Sequence, residues 1–167
     1  MDNQTVLIRK AVIEDASRFL EIHNASIREI CASDYSPDQI EAWATFRTAE
    51  DFRYRITKDV SYVAEVDGNV VGYVRFSPRT NELCSLHVHP SHARLGIGTA
   101  LIRHAISDAR RRKMSHFWLH SSLTAVPFYE SLNFVREVDT THMFGDIGLQ
   151  CVAMKISFGD HWDRENE

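Results

Sequence analysis

The sequence has few of the features that would assign it to a specialised class of protein. Its three cysteines, Cys31, Cys84 and Cys151, lie far apart and form no C-x-x-C pair, which favours free thiols over a disulfide framework. No apolar run is long enough to span a membrane, and no basic stretch followed by an apolar one opens the chain, so a secretory signal is not expected. Basic residues (19) are fewer than acidic residues (23), so bulk charge does not favour nucleic acid. These absences predict a cytoplasmic protein that binds neither nucleic acid nor membrane.

Length and composition are those of an ordinary globular domain. The 167 residues are 44% hydrophobic and 25% charged. A single domain of this length buries roughly 70% of the surface that its unfolded chain exposes, so its core needs no metal or disulfide. We therefore expect one domain over residues 1–167, with the polar and acidic residues 160–167 frayed.

Local patterns predict a mixed α and β chain. Asp67 and Gly68 lie between two runs of β-forming residues, which is typical of a hairpin turn. Ser36, Pro37 and Gln39 predict the start of a helix as its cap, its first-turn proline and its capping-box residue. Strands are predicted at about 6–8, 60–66, 70–76, 82–89, 116–120, 134–138 and 149–158, and helices after caps at Asp15 and Ser36 and over about 97–113 and 125–132. The order of these elements favours an α/β domain of the α+β kind, with a mostly antiparallel mixed sheet flanked by helices.

The most informative segment runs from Leu86 to Leu101 and has the order strand, short loop, two glycines and helix. Gly96 and Gly98 have no Cβ, so a pyrophosphate can approach the backbone N–H groups at the start of the helix. Those groups have no partner within the helix, and the helix dipole favours an anion there. Arg94 adds a cation beside the same position. The alternative is a tight strand-to-helix turn that binds nothing.

Two common phosphate-binding motifs do not fit this segment. It contains no G-x-x-x-x-G-K-[S/T] sequence, so it is not a P-loop. Leu101 stands where a dinucleotide-binding G-x-G-x-x-G motif needs its third glycine, and a meander precedes the glycines instead of an opening βαβ unit. The glycine turn therefore points to another class of protein.

The segment resembles the L-x-V-x-P…[Q/R]-x-x-G-x-G/A motif of the GNAT superfamily of acetyl-CoA-dependent N-acetyltransferases. A second segment, AVPFYESLNF at 125–134, is similar to that family's A-x-x-F-Y-E-x-x-G-F element. The opening Ile8-Arg9-Lys10-Ala11 also looks like the family's usual start. The resemblance covers about residues 6–158, nearly the whole chain. It implies a single-domain GNAT fold that transfers an acetyl group directly from acetyl-CoA to a primary amine of a small molecule or peptide.

The resemblance also implies which residues hold the co-substrate. Pantetheine would lie beside the backbone of Leu86, His87 and Val88. The residues expected around the pyrophosphate are Arg94, Leu95, Gly96, Ile97, Gly98 and Thr99. Three positions depart from the family pattern: Ala93 replaces the first [Q/R], Ser122 stands where many relatives have Asn, and Asn133 replaces a Gly. Ser122 is expected to contact the co-substrate with a shorter side chain.

Catalytic roles follow from the same resemblance. Tyr129 matches the family's tyrosine that faces the sulfur, which makes it the candidate general acid; the alternative is a packed core aromatic. Glu82 is the candidate general base, with His87, His120 or a water chain as alternatives. The acceptor pocket is expected to include Ile27, Tyr35, Trp43 and Phe76.

The sequence also allows other interpretations of its function. A non-catalytic acyl-CoA sensor would carry the same motifs. Cys84, His87, His89 and His92 lie close in sequence, but their spacing fits no standard zinc site, so no metal is expected. The basic run 110–113 ends a helix, where cations favourably meet the dipole. The expected oligomeric state is a monomer or a homodimer.

Overall fold

Capping signals in the sequence begin two consecutive helices of the structure, a computed structural model that describes residues 5–159. Ser36 Oγ accepts from Gln39 N–H at 3.3 Å, and Gln39 Oε1 accepts from Ser36 N–H at 3.0 Å, which completes the predicted capping box. Thr48 and Asp51 form a second box, with Thr48 Oγ1 accepting from Asp51 N–H at 3.2 Å. This second box begins a helix, Ala49–Lys58, that the sequence analysis did not predict.

Apart from α3, the strands and helices follow one another in the order that the patterns predicted. The strands are β1 Val6–Lys10, β2 Val60–Val66, β3 Asn69–Ser77, β4 Glu82–Val88, β5 His116–Ser122, β6 Val135–Phe144 and β7 Ile147–Ser157. The helices are α1 Ala16–Ile30, α2 Pro37–Thr45, α3 Ala49–Lys58, α4 Ile97–Arg111 and α5 Val126–Ser131, with short 3₁₀ turns at Ile13–Asp15 and Pro90–His92. The predicted frayed segment, 160–167, lies outside the described residues.

One cap was predicted wrongly. Asp15 precedes α1, but its side chain makes no cap hydrogen bond to that helix. Its carboxylate instead accepts from the N–H of Val12 at 2.8 Å and pairs with Arg9 at 2.8 Å. The 3₁₀ turn before α1 places the aspartate where the Arg9 side chain and the Val12 amide can both reach it.

The seven strands form one sheet in the order β1-β2-β3-β4-β5-β7-β6. Neighbouring strands are antiparallel except β4 and β5, which are parallel. Asp67 and Gly68, with φ of 50° and 77°, form the predicted turn between β2 and β3. The sheet confirms the mixed, mostly antiparallel architecture.

Helices cover both faces of this sheet because strand side chains alternate between them. On one face, α4 packs on β3 through the apolar stripe that contains Leu101, Ile102 and Ala105. On the other face, Phe19 of α1 stacks on Tyr73 of β3 with ring centroids 4.0 Å apart. The carboxyl end of β4 therefore lies between two helical layers.

Candidate active site

β4 and β5 are neighbouring parallel strands that separate along most of their length. Within residues 5–159, one register pair, Glu82 with Trp118, joins them. Beyond this pair the strands diverge toward their carboxyl ends, and a cavity of about 820 Å³ is lined by both. β4 also bulges at Cys84, which has no partner on β3. The divergence makes room for a ligand in the middle of the sheet.

The backbone of β4 directs two N–H groups into this gap. His89 N–H donates to Val71 O of β3 at 2.8 Å, and bonded pairs alternate along an antiparallel ladder. His87 is therefore bonded to β3, whereas the amides of Leu86 and Val88 are directed toward β5. Since β5 has diverged at this level, those two N–H groups are available to a ligand.

The start of α4 provides a second set of backbone donors. Gly96 is the N-cap residue, with φ of 79°, and Arg94 precedes it with φ of 63°. Ala100 N–H donates to Gly96 O at 3.0 Å, so the N–H groups at 97–99 precede the first helical hydrogen bond. A Cβ added at Gly96 would meet no atom within 4 Å. This open loop fits a diphosphate. Of the predicted phosphate residues, Leu95 does not line the cavity and its side chain is 63% exposed.

Tyr129 of α5 lines the same cavity as the free amides of β4. It is buried, with 7% exposure, and its ring packs edge-on against Phe128 and Phe134. Its hydroxyl makes no hydrogen bond to a described residue, and burial raises the pKa of Tyr129 above its ordinary value. A phenol in this environment keeps its proton at neutral pH, as a general acid must.

Glu82 lies at the joined end of β4 and β5. Its carboxylate lines the cavity and makes no ion pair with any residue of the described part. His120 of β5 and His142 of β6 lie near it, with their ring centroids 6.1 Å apart. Desolvation and the charge of His120 lower the pKa of His142, whereas Glu82 opposes that shift. Three groups that can accept a proton therefore surround one part of the cavity.

His87 is in a different environment from these three groups. Its Nδ1 lies 3.2 Å from Ser26 Oγ, and its ring contacts His23 edge-on at 5.1 Å between centroids. Burial, together with the charges of His23 and Arg75, lowers the pKa of His87 to about 3. The imidazole is therefore neutral at pH 7 and is a weak base.

The remaining predicted residues divide into two groups. Ser122, Tyr35 and Trp43 line the cavity, whereas Ile27 and Phe76 are fully buried in the core. Ser122 Oγ accepts from Ala125 N–H at 3.2 Å, which places it in the turn before α5. Tyr35 Oη donates to Gln150 O at 2.6 Å and accepts from Leu123 N–H at 2.9 Å. Tyr35 thus ties the segment between α1 and α2 to the end of β5 and to β7.

The structure also brings to the cavity residues that the sequence did not single out. These are His23, Arg47, Arg55, Arg75 and His142. Arg47 and Arg55 flank the Thr48–Asp51 capping box, whose S/T-x-x-D/E pattern would have revealed α3. His142 lies in a polar, exposed strand without a periodic pattern, so no sequence signal marks it.

Residues 5–159 contain neither a candidate metal cluster nor a helix suited to crossing a membrane. No group of three or more His, Cys, Asp or Glu side chains is placed to hold a metal ion. None of the helices combines the length and the apolar character that crossing a bilayer requires.

The backbone donors in the β4–β5 gap and at the start of α4, a helix that begins without a side-chain cap, are placed to bind an extended anionic co-substrate. The chain belongs to the GNAT acetyltransferase family, because the model of the acetyltransferase (GNAT) domain matches residues 31–158. This membership confirms the family, the fold and the enzyme class, an acetyl-CoA-dependent acyltransferase, that the sequence motifs predicted.

Individual relatives agree with this family. The uncharacterized N-acetyltransferase YafP of Escherichia coli strain K12 is 26% identical over 129 residues, which cover 77% of this chain and 81% of the relative. A GCN5-related N-acetyltransferase from Rhodopseudomonas palustris superposes with a TM-score of 0.88 at 28% identity, over 95% of this chain and 99% of its own. The PaiA N-acetyltransferase of Thermoplasma acidophilum, solved in complex with coenzyme A, gives 0.77 at 22% identity, over 92% and 99% of the two chains.

Proposed function

We propose that this protein transfers an acetyl group from acetyl-CoA directly to a primary amine of a small molecule or peptide. The observation that carries the proposal is the presence of two separate sets of backbone donors at one cavity. One set is the amides of Leu86 and Val88 in the β4–β5 gap, and the other is the open loop at Gly96 and the start of α4. Acetyl-CoA supplies a thioester at one end and a diphosphate at the other, and the two donor sets match these groups.

Each end of the co-substrate has its own residues. The N–H groups at the start of α4 and the guanidinium of Arg94 bind the diphosphate, with Gly96 giving the loop its left-handed turn. The amide of Leu86 or Val88 donates to the thioester carbonyl and stabilises the oxyanion that forms there. The side chain of Ser122 lines the same channel.

The two proton transfers of the reaction are assigned to Tyr129 and Glu82, which both line the cavity. Tyr129 donates a proton to the departing thiolate, because burial keeps its hydroxyl protonated. Glu82 accepts a proton from the ammonium group of the acceptor, and the neutral amine that results attacks the thioester; His120 or a water chain is the alternative route for this proton. His87 is not assigned this role, because its lowered pKa, about 3, makes it too weak a base.

Direct transfer is favoured over an acyl-enzyme on Cys84. This thiol is the cysteine of the bulge in β4 and lines the cavity. Burial raises the pKa of Cys84 to about 11, so it stays a thiol at neutral pH, and the thiolate is the nucleophilic form. The amine therefore attacks the thioester itself.

We also propose a cytoplasmic location, where the three free thiols would remain reduced, and a monomer or homodimer.

The test is release of free thiol from acetyl-CoA in the presence of amines. The panel comprises amino acids, polyamines, aminoglycosides and peptides with free N-termini. Turnover with at least one amine supports the proposal. Thermal stabilisation by acetyl-CoA and CoA without turnover would replace it with a non-catalytic acyl-CoA sensor, and no stabilisation by either would overturn both.

A further inference from the structure

The charges around the cavity are unevenly distributed. Its lining includes four arginines, Arg47, Arg55, Arg75 and Arg94, but only one carboxylate, Glu82, among the described residues. The whole chain has the opposite balance, with a formal charge of -4. The positive character of the cavity is therefore a local feature, and net charge does not reveal it.

Two of these arginines already have a function or a partner. Arg94 belongs to the loop before α4, at the diphosphate end. Arg75 forms a buried ion pair with Asp59, and its Nη2 donates to Ser85 Oγ at 3.2 Å. These contacts leave Arg47 and Arg55 as the cavity cations to be explained.

Arg47 and Arg55 come from neighbouring segments and face the same cavity. Arg47 follows α2, and its Cζ lies 4.9 Å from the centroid of the Phe46 ring. Arg55 lies in α3, three residues after Phe52, and both of these α3 residues line the cavity. Neither arginine forms an ion pair with a carboxylate of residues 5–159.

Other arginines of the first three helices do have carboxylate partners. Arg53 of α3 pairs with Glu50 at 3.0 Å, and Arg28 of α1 pairs with Glu41 at 2.9 Å, both at the surface. Arg47 and Arg55, which have no such partner among the described residues, both line the cavity. Burial and the positive charges of Arg55 and Arg75 lower the pKa of Arg47, whereas the charge of Asp51 opposes that shift. A bound anion would add to the effect of Asp51 and oppose the repulsion between the cations.

The unpaired arginines lie at the acceptor end of the cavity. The thiol of Cys84, next to the β4 gap, experiences the charges of Arg75, Glu82, Asp59 and Arg55. The charge of Arg47 also acts on His23 of α1 and on His142 of β6. Arg47 and Arg55 therefore line the same part of the cavity as Glu82, the candidate base.

We infer that the acceptor is an amine that also carries a carboxylate, bound with its carboxylate against Arg47 and Arg55 and its amine toward Glu82. This inference rests on the proposed function and specifies its substrate class. Guanidinium groups bind carboxylates through paired, charge-assisted hydrogen bonds, and two of them side by side exclude polycations. Amino acids are the simplest amines of this class.

Matched substrates test the inference without changing the protein. Each common amino acid except proline and cysteine is assayed by thiol release beside its own α-carboxamide, with spermidine as the polycation. The amine of a carboxamide is the weaker base and loses its proton more easily, so a preference for the carboxylate does not arise from intrinsic reactivity. We expect the best amino acid to exceed its carboxamide at least tenfold in kcat/KM. Equal or better turnover of the carboxamide or of spermidine would overturn the inference and leave the proposed function intact.

Matched variants test which residues bind the carboxylate. Arg47→Gln and Arg55→Gln should each raise the KM for the amino acid at least tenfold and leave the KM for acetyl-CoA within threefold. Arg53→Gln removes an arginine from the outer side of the same helix and should change neither KM. Unchanged KM values in both cavity variants would contradict the assignment.

A binding readout separates this inference from the proposed function. CoA-saturated protein is melted with the N-acetyl amino acids and, in parallel, with their α-carboxamides. The inference requires at least one N-acetyl amino acid to raise Tm more than its carboxamide, and this difference must disappear in Arg47→Gln. If this difference in Tm is present but no amine turns over, the proposed catalytic function is disproved and the carboxylate-binding site is supported. If the difference is absent, the site itself is disproved.

Discussion

Asp59 and Arg75 form an ion pair that is almost entirely withdrawn from water, with side-chain exposures of 10% and 6%. Asp59 ends α3 and Arg75 lies in β3, so the pair joins the helix that carries Arg55 to the centre of the sheet. Arg75 also donates to Ser85 of β4, beside the bulge. The buried pair thus positions both the helix that carries Arg55 and the bulged strand β4.

Removing one partner of this pair should be strongly destabilising. Asp59→Asn leaves the Arg75 guanidinium buried without a counter-charge, and we expect a loss of about 3–5 kcal/mol in the free energy of unfolding. Urea denaturation measures it. Glu50→Gln, which breaks the exposed pair with Arg53, is the control and should cost less than about 1 kcal/mol. Equal losses in the two variants would show that Asp59 and Arg75 do not act as a buried pair.

Gly96 should be required for the shape of the phosphate loop, and Gly98 should not. Alanine at Gly96 must adopt a φ of 79°, which costs about 1 kcal/mol or displaces the loop. Alanine at Gly98 meets Phe128 at 3.5 Å, an ordinary contact. We expect Gly96→Ala to raise the KM for acetyl-CoA at least tenfold and Gly98→Ala to leave it within threefold. The reverse order would disprove this account of the loop.

Tyr129→Phe removes a buried hydroxyl that has no hydrogen-bond partner among the described residues, so the fold should be unaffected. Loss of the general acid should lower kcat about 100-fold while the KM for acetyl-CoA stays within threefold. Tyr54→Phe, at a tyrosine that is 63% exposed, is the control. A kcat that is unchanged at every pH would mean that Tyr129 serves only to pack α5.

Glu82→Gln should lower kcat/KM about 100-fold and flatten the acidic limb of its pH profile, because the amide cannot accept the proton of the amine. The same profile measured on His120→Asn distinguishes the two candidate bases. If His120→Asn alone loses the limb, His120 is the base. If neither variant changes it, the proton leaves through water.

Acid should destabilise the protein through His23 and His87 before the carboxylates titrate. Burial lowers the pKa of both rings, that of His87 to about 3, whereas an unfolded histidine titrates near 6.5. As the pH falls below 6.5 the unfolded chain binds protons that the folded chain does not, so stability present at pH 7 is lost. We expect a loss of about 1–2 kcal/mol between pH 7 and pH 5. His87→Gln should reduce this slope in urea denaturation, and His116→Gln should not.

The sequence predicted best those elements whose signals are local. The capping box at Ser36 and Gln39 and the Asp67-Gly68 turn appear as expected, because each depends on contacts within a few residues. Asp15 was assigned the wrong role because its partner, Arg9, lies outside the helix that it precedes.

The cofactor half of the site was more predictable than the acceptor half. Gly96 and Tyr129 lie within motifs whose spacing is visible in the chain. Arg47, Arg55 and His142 reach the cavity from three different elements, and no periodicity in the sequence reports that α3 and β6 face the same space. The direction of the Leu86 and Val88 amides likewise depends on the register of β4 against β3, which a single strand does not reveal.

The single pair between Glu82 and Trp118 has a mechanical consequence. It leaves the facing edges of two part-sheets, β1–β4 and β5–β7, open toward each other, while one hydrophobic core that includes Val74 and Met154 holds the two parts together. An extended ligand with its own amide groups would fill that opening like an added strand. Such a ligand would be a component of the architecture as well as a reactant.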